Sequence, residues 1–226
     1  MRSTLQCDDI LGPLDEVERY HAPKRLYLEG DAALLQRTVR VAVVGSRDAS
    51  ALGLRRARRI STELARERIV VVSGLARGVD HAAHTAAIEA GGRTIAVIGT
   101  PLDRVYPPEH AELQAEFARA HLVVSQFGPK DETGRWSFPE RNRTMALLSH
   151  ATVIVEAGDS SGTLHQAWEA LRLGRPTFFM RSLLEDTTLA WPRKLLDHGA
   201  QPLASVQDVL DEVPFVEVAA VGLDAF

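Results

Sequence analysis

Four short apolar runs, each stopped by small flexible residues and followed by a segment of helical period, constrain this chain more than any other feature. Arg40 to Val44 ends at Gly45, and Ile69 to Val72 stops at Ser73-Gly74. Arg93 to Ile98 ends at Gly99-Thr100, and Thr152 to Val155 turns through Gly158 to Gly162. Runs this short and apolar on both faces read as strands buried in a parallel sheet. Between the first two, Leu52 to Arg68 places Leu54, Ala57, Ile60, Leu64 and Ala65 at helical spacing. Val79 to Ala90 is the next predicted helix, closed by Gly91-Gly92. The second half repeats the alternation. Helices are predicted over Glu109 to Ala120, Pro139 to Ser149 and Thr163 to Leu173, and strands over Leu122 to Ser125 and Thr177 to Met180. Near the end follow a helix at Arg193 to Asp197, an extended piece at Gln201 to Leu203 and a helix at Val206 to Val213. The fold class is therefore α/β, an extended Rossmann-like fold with a mostly parallel sheet and helices on both faces.

The expected organisation is an N-terminal extension over 1–37, a core over 38–213 and a loose tail over 214–226. In the extension only Arg25 to Glu29 reads as a strand, placed at the sheet edge. The 226 residues suffice for one domain with a sizeable core. No apolar run approaches the roughly 20 residues of a membrane helix. The first residues lack the apolar core of a secretion signal. Cys7 is the only cysteine, which excludes an internal disulfide and a thiolate zinc knuckle. These features lead to the expectation of a cytoplasmic protein with no membrane partner.

A net charge of −4 argues mildly against a nucleic-acid binder, but the charge is uneven. From Arg37 to Arg77 there are ten arginines against Asp48, Glu63 and Glu67. Such a basic stretch on an acidic body is a candidate footprint for phosphate. Arg55, Arg56, Arg58 and Arg59 suit the solvated face of one helix equally well.

In open parallel sheets, ligands bind beyond the carboxyl ends of the strands. The loops expected there are Gly45-Ser46-Arg47, Ser73-Gly74-Leu75-Ala76-Arg77-Gly78, Gly99-Thr100 and Ser160-Ser161-Gly162-Thr163. Small residues admit a ligand close to backbone N–H groups, and helix N-termini favour anions. Ser46, Ser73, Ser161 and Thr163 offer hydroxyl donors, and Arg47 and Arg77 can each grip a phosphate. Neither the dinucleotide fingerprint nor the P-loop is present, so no NAD or ATP cofactor is expected. A further segment, Trp136-Ser-Phe138-Pro-Glu-Arg141-Asn142-Arg143, brings aromatic faces that can stack bases beside groups that hold phosphates. His81 and His84 share a helix but are too few for a metal site, and none is expected. Asp80, at a helix start, fits a role in orienting the preceding loop.

Taken in order, these motifs resemble the DprA/Smf DNA-processing family. Val41 to Arg47 with Gly53, Val71 to Asp80 with His84, Ile95 to Thr100, and Tyr106-Pro107-Pro108-Glu109 match its first blocks. Phe138-Pro-x-Arg-Asn-Arg143, Val155-Glu-Ala157, Ser161-Gly-Thr163 and the closing Leu195 to Glu212 follow in sequence, covering about residues 26–213. The resemblance implies a non-catalytic protein that binds single-stranded DNA without sequence preference, dimerises and delivers the strand to the RecA recombinase. It implies a DNA pocket lined by Gly45, Ser46 and Arg47; by Ser73, Gly74, Arg77 and Gly78; and by Phe138, Arg141, Asn142 and Arg143. Gly99, Thr100, Ser161, Gly162 and Thr163 join it as phosphate-binding candidates. Gln126, Met180-Arg-Ser182 and His165-Gln166 depart from the family pattern. The chain matches the bare core, without the helical and winged-helix modules of long members.

Two other readings compete. Phosphoribohydrolases of the LOG type share a superfamily with this fold, and Arg141-Asn-Arg-Thr-Met145 fits one of their motifs. Their Pro-Gly-Gly is missing, however, and Gln166 takes the place of a carboxylate, leaving Glu156 as the possible substitute. A neutral amide cannot stabilise a developing oxocarbenium ion. The loops would also suit a sensor of a free nucleotide.

Overall fold

The computed structural model describes residues 2–36 and 38–213. The elements of the expected core appear in the expected order, as β3 (Arg40–Gly45), α3 (Ala51–Arg66), β4 (Val70–Ser73), α4 (Val79–Glu89) and β5 (Thr94–Ile98), then α5 (Ala111–Ala120) and β6 (Leu122–Ser125). They continue as α6 (Ser137–Leu148), β7 (Ala151–Glu156), α7 (Gly162–Arg172), β8 (Thr177–Met180), α8 (Trp191–Asp197), β9 (Gln201–Leu203) and α9 (Val206–Leu210). The expected tail over 214–226 lies outside the described residues.

The N-terminal segment is more ordered than its sequence pattern suggests. It forms β1 (Arg2–Gln6), α1 (Cys7–Leu11), α2 (Glu16–His21) and β2 (Arg25–Gly30). Asp15 and Glu18 close a reciprocal capping box on α2, a signal legible as Asp-x-x-Glu. One sheet of nine strands runs in the order β1-β2-β6-β5-β4-β3-β7-β8-β9. The pairs β1–β2 and β2–β6 are antiparallel, and all others are parallel. Arg25–Glu29 is therefore not the edge strand. β1 takes the edge, and β2 buries Leu26 and Leu28 one strand further in.

Alternate residues of the strands separate into two cores. Val41 and Val43 pack with Ala57, Ile60 and Leu64 of α3 and Val79 and Ala83 of α4. Ala42 and Val44 face the other way, towards Met145 and Leu148 of α6 and Ala167 of α7. Cys7, Ile10 and Leu14 join this second core, which ties the N-terminal segment to the domain. A smaller cluster holds Phe117 of α5 against Ile98 and Val123.

Of the basic stretch, one arginine is spent inside the fold and three more are paired at its surface. Arg40 is buried and donates to the carbonyls of Leu35, Thr38 and Leu148. Arg58 pairs with Glu89, Arg59 with Glu63 and Arg77 with Glu109. Among the described residues no helix is long and apolar enough to cross a membrane.

Candidate nucleic-acid interface

β3 is the strand at which the chain reverses its direction of travel across the sheet. From β3 it proceeds through β4 and β5 to β6, and α6 then carries it back to β7 on the other side of β3. The carboxyl end of such a strand is where α/β sheets open a crevice. A cleft of about 750 Å³ lies there. Gly45, Ser46 and Arg47 form one wall, and Gly158, Ser160, Ser161, Gly162 and Thr163 form the facing one. Phe138, Arg141 and Asn142 of α6 supply the third side. A connecting recess contains Gly74, Arg77, Gly99 and Thr100. Four loops far apart in sequence thus meet at one rim.

Each loop is locked by interactions at its base. Ser46 N–H donates to the Glu156 carbonyl at 2.8 Å, and Val79 N–H donates to the Ser46 carbonyl at 3.1 Å. Gly78, with φ +73°, makes the second contact feasible, since a Cβ there would stand 2.5 Å from the Arg47 carbonyl oxygen. The carboxylate of Asp80 accepts from Gly74 N–H at 3.1 Å and more distantly from Ala76 N–H, so it orients its preceding loop as expected. Burial raises the pKa of Asp80, opposed by Arg141, by Ser73 and by these amides. Asp159 accepts from Ala190 N–H at 3.1 Å and from Trp191 N–H at 3.3 Å, holding the fourth loop against α8.

Above this base some groups remain free and others do not. Arg47 is exposed and lies 5.2 Å over the Phe138 ring. Ser46 Oγ accepts from Asp48 N–H, which leaves its hydroxyl proton for a ligand. Ser161 Oγ caps α7 by accepting from Thr163 N–H at 3.2 Å, with the same consequence. Asn142 donates to the Gly162 carbonyl at 3.0 Å and braces that wall. At Gly158 and Gly162 no atom stands within 4 Å of a notional Cβ. Packing gives no reason for glycine at either position, whereas a ligand pressed against the backbone would.

Several expected contacts are not available to a ligand. Ser73 is fully buried, and its hydroxyl donates to the Val43 carbonyl at 2.7 Å. Thr100 Oγ1 donates to the Arg104 carbonyl. Gly99 is small so that Phe138 can pack, its notional Cβ lying 2.9 Å from the ring. Gly78 lies outside the cleft and lines a groove on the far side of the Arg47 loop. Arg143 is turned away from the cleft towards Glu140 at 3.4 Å and Glu169 at 3.5 Å. Arg141 reaches the cleft floor but is 5% exposed, and its Nη1 donates to the Gly74 and Val97 carbonyls. Burial lowers its pKa, with Asp80 opposing. It is primarily a brace joining the ends of β4 and β5.

Tyr106 and Arg135 line the cleft without having been singled out as site residues. Tyr106 is 47% exposed, and its ring centroid is 5.2 Å from that of Phe138. An aromatic residue just before Pro107-Pro108, in a loop leaving a strand's carboxyl end, was the signal available for it.

The geometry gives little support to hydrolysis. Glu156 accepts from Ser50 N–H at 2.8 Å and from Ser50 Oγ at 2.5 Å, at the N-cap of α3. Gln166 is fully buried, and its amide fits against the Asn142 carbonyl and the Ala146 N–H. His84 is likewise internal, its Nδ1 lying 2.6 Å from Thr94 Oγ1. No cluster of three or more His, Cys, Asp or Glu suited to a metal exists among the described residues.

Fold and cleft together define a Rossmann-like domain with a phosphate-suited crevice at its switch point. Residues 9–214 match the family model of DNA recombination-mediator protein A, and the chain belongs to this family, the DprA/Smf proteins. It is 40% identical over 203 residues to DNA processing protein DprA of Streptococcus pneumoniae, covering 90% of this chain and 71% of that protein. It is 35% identical to DprA of Bacillus subtilis, covering 86% of this chain and 66% of that protein. With protein Smf of Escherichia coli the identity is 34%, over 85% of this chain but only 52% of that protein. The chain thus spans between about half and about two thirds of these relatives' lengths, or slightly more.

Among solved structures, DprA of S. pneumoniae superposes with a TM-score of 0.84 at 39% identity, covering 94% of this chain and 75% of that one. A DprA from Helicobacter pylori, described for its single-stranded DNA binding mode, gives 0.78 at 28% identity, covering 93% and 94%. A molybdenum cofactor binding protein from Rippkaea orientalis shares the fold at 20% identity, with a TM-score of 0.56 over 77% of this chain and 94% of that one. The family match begins at residue 9, so it takes in most of the segment expected to be an extension.

Proposed function

We propose that this chain binds single-stranded DNA in the cleft at the carboxyl ends of β3 and β7, without catalysis and without a cofactor. The observation that carries this reading is the convergence of Arg47, the free Ser46 and Ser161 hydroxyls and the unfilled space at Gly158 and Gly162 beside an aromatic pair. Phosphate oxygens suit the first wall and the N-terminus of α7. Bases suit Tyr106 and Phe138, whose ring faces accept any base and so require no sequence. Family membership and the DNA-binding H. pylori relative support the same ligand. In the cytoplasm, such a protein would shield the strand and, as a homodimer, pass it to a RecA-type recombinase. The commitment of Glu156 to Ser50 and the burial of Gln166 favour binding over glycosidic hydrolysis.

The test is fluorescence anisotropy with labelled oligothymidylate, duplex DNA and free nucleotides as competitors. The expected result is preference for the single strand, affinity that falls steeply with salt, and a large loss in Arg47→Ala. Salt-insensitive binding, or an Arg47→Ala variant with unchanged affinity, would contradict the reading. Competition by a mononucleotide as effective as by the strand would favour a nucleotide sensor.

A further inference from the structure

On the far side of the Arg47 loop lies a groove of about 530 Å³ that the cleft does not include. Leu54 of α3 and Ala82 of α4 help to line it, and Arg47, Arg58 and Arg77 bring cationic groups. Arg47 lines both the cleft and the groove, so the two meet at its side chain. Arg77 likewise lines both the recess and the groove.

A flat ring completes the site. His81, on the first turn of α4, is exposed and stacks on His110, with ring centroids 5.0 Å apart and an interplanar angle of 28°. His110 is buried, and its Nδ1 lies 2.8 Å from the Leu75 carbonyl. A carbonyl can only accept, so this nitrogen carries the proton and the ring is fixed in place. Burial lowers the pKa of His81, as do His110 and Arg58, which disfavours a charge on its ring. Neutral imidazole is a stacking surface for bases.

From these observations we propose that the groove between α3 and α4 is a second nucleotide subsite. The strand held in the cleft continues past Arg47, sets a phosphate between Arg58 and Arg77, and stacks a base on His81. This assignment rests on the strand-binding reading of the cleft. The opposing charges are Asp48, which lines the groove, Glu89 paired with Arg58, and Glu109 paired with Arg77. Both pairs are exposed, with Arg77 67% and Glu109 49% accessible, and pairs of this kind contribute little. Exchanging either carboxylate for a phosphate therefore costs little.

Oligothymidylates of increasing length, titrated against the full chain by anisotropy over a range of salt, test the proposal. Strands just long enough to fill the cleft should bind wild type, Arg58→Ala and His81→Ala equally. Longer strands should gain affinity in wild type and lose about fivefold or more of it in either variant. The salt dependence of the long strand should fall by about 0.7 in log–log slope for Arg58→Ala. Arg58→Glu, which reverses the charge, should lose more, and His81→Leu, which keeps bulk without the ring, should match His81→Ala. Matching thermal melts confirm that each variant is folded, and a variant that melts early is replaced by its partner substitution.

Variants that bind long strands like wild type, or that lose short and long strands equally, would overturn the subsite. Failure of the cleft reading looks different. In that case wild type shows no salt-dependent binding at any length, or Arg47→Ala leaves short-strand binding intact, and the subsite falls with it.

Discussion

Replacing Arg141 with methionine probes whether this arginine braces the cleft or grips a phosphate. Its Nη1 donates to the Gly74 carbonyl and, at 2.8 Å, to the Val97 carbonyl, and its charge faces the buried Asp80. Methionine fills much of the volume, but it leaves two carbonyls without this donor and a carboxylate without its cation. Arg141 and Asp80 are charged neighbours rather than a direct ion pair, so the loss of about 3–5 kcal/mol on breaking a buried pair is an upper reference. The lower end applies here, because Asp80 can take up a proton, its pKa being already raised by burial, and because water from the cleft can reach the floor. For a chain of this size, about 3 kcal/mol corresponds to a fall in Tm of roughly 6–12 °C. The assay is thermal and urea unfolding followed by circular dichroism, with strand affinity measured on the same samples below the transition. Adding Asp80→Asn should recover part of the lost stability, since the neutral amide can still accept from the loop N–H groups. An Arg141→Met protein that melts like wild type while losing the strand would refute the brace and make Arg141 a direct phosphate ligand.

Three further outcomes are expected. Tyr106→Ala should weaken strand binding by about 1–2 kcal/mol without changing Tm, while Tyr106→Phe stays close to wild type; equal losses in both would mean that the hydroxyl rather than the ring face is used. Gly78→Ala should destabilise by about 1–3 kcal/mol and reduce strand binding, because the positive φ is combined with a backbone clash at Arg47, whereas Gly91→Ala, with φ +74° and open space, should cost only about 1 kcal/mol; urea midpoints compare the two. Burial holds the imidazoles of His84 and His150 at about 3 and about 4, below the 6.5 of a free histidine, so the unfolded chain takes up protons on acidification before the folded one does. Their contribution is full above about pH 6.5 and declines towards pH 4 by up to about 1.4 kcal/mol per pH unit for each ring. A urea midpoint that stays flat between neutral pH and pH 5 would contradict this.

The order of strands and helices in the core was legible from sequence because period and punctuation are local properties. A run such as Val41–Val44, apolar on both faces, can be satisfied only inside a covered parallel sheet, and parallel strands place their following loops on one rim. That logic is enough to gather Gly45–Arg47, Gly74–Arg77 and Ser161–Thr163 at one rim from sequence. It missed β1, and it set Arg25–Glu29, rightly read as a strand, at the sheet edge, because β2 pairs with β6, a partner about a hundred residues away.

Which polar groups remain free at the rim was decided by tertiary structure alone. Ser46 and Ser73 are chemically alike, but only Ser73 meets a buried carbonyl thirty residues distant in sequence. Arg47 and Arg143 are equally cationic, but only Arg143 meets the buried Glu169. A buried donor must find an acceptor, and that acceptor comes from whichever segment the fold brings near. Composition and spacing can therefore mark where a charged strand would lie, and only the packed chain determines which side chains are left to hold it.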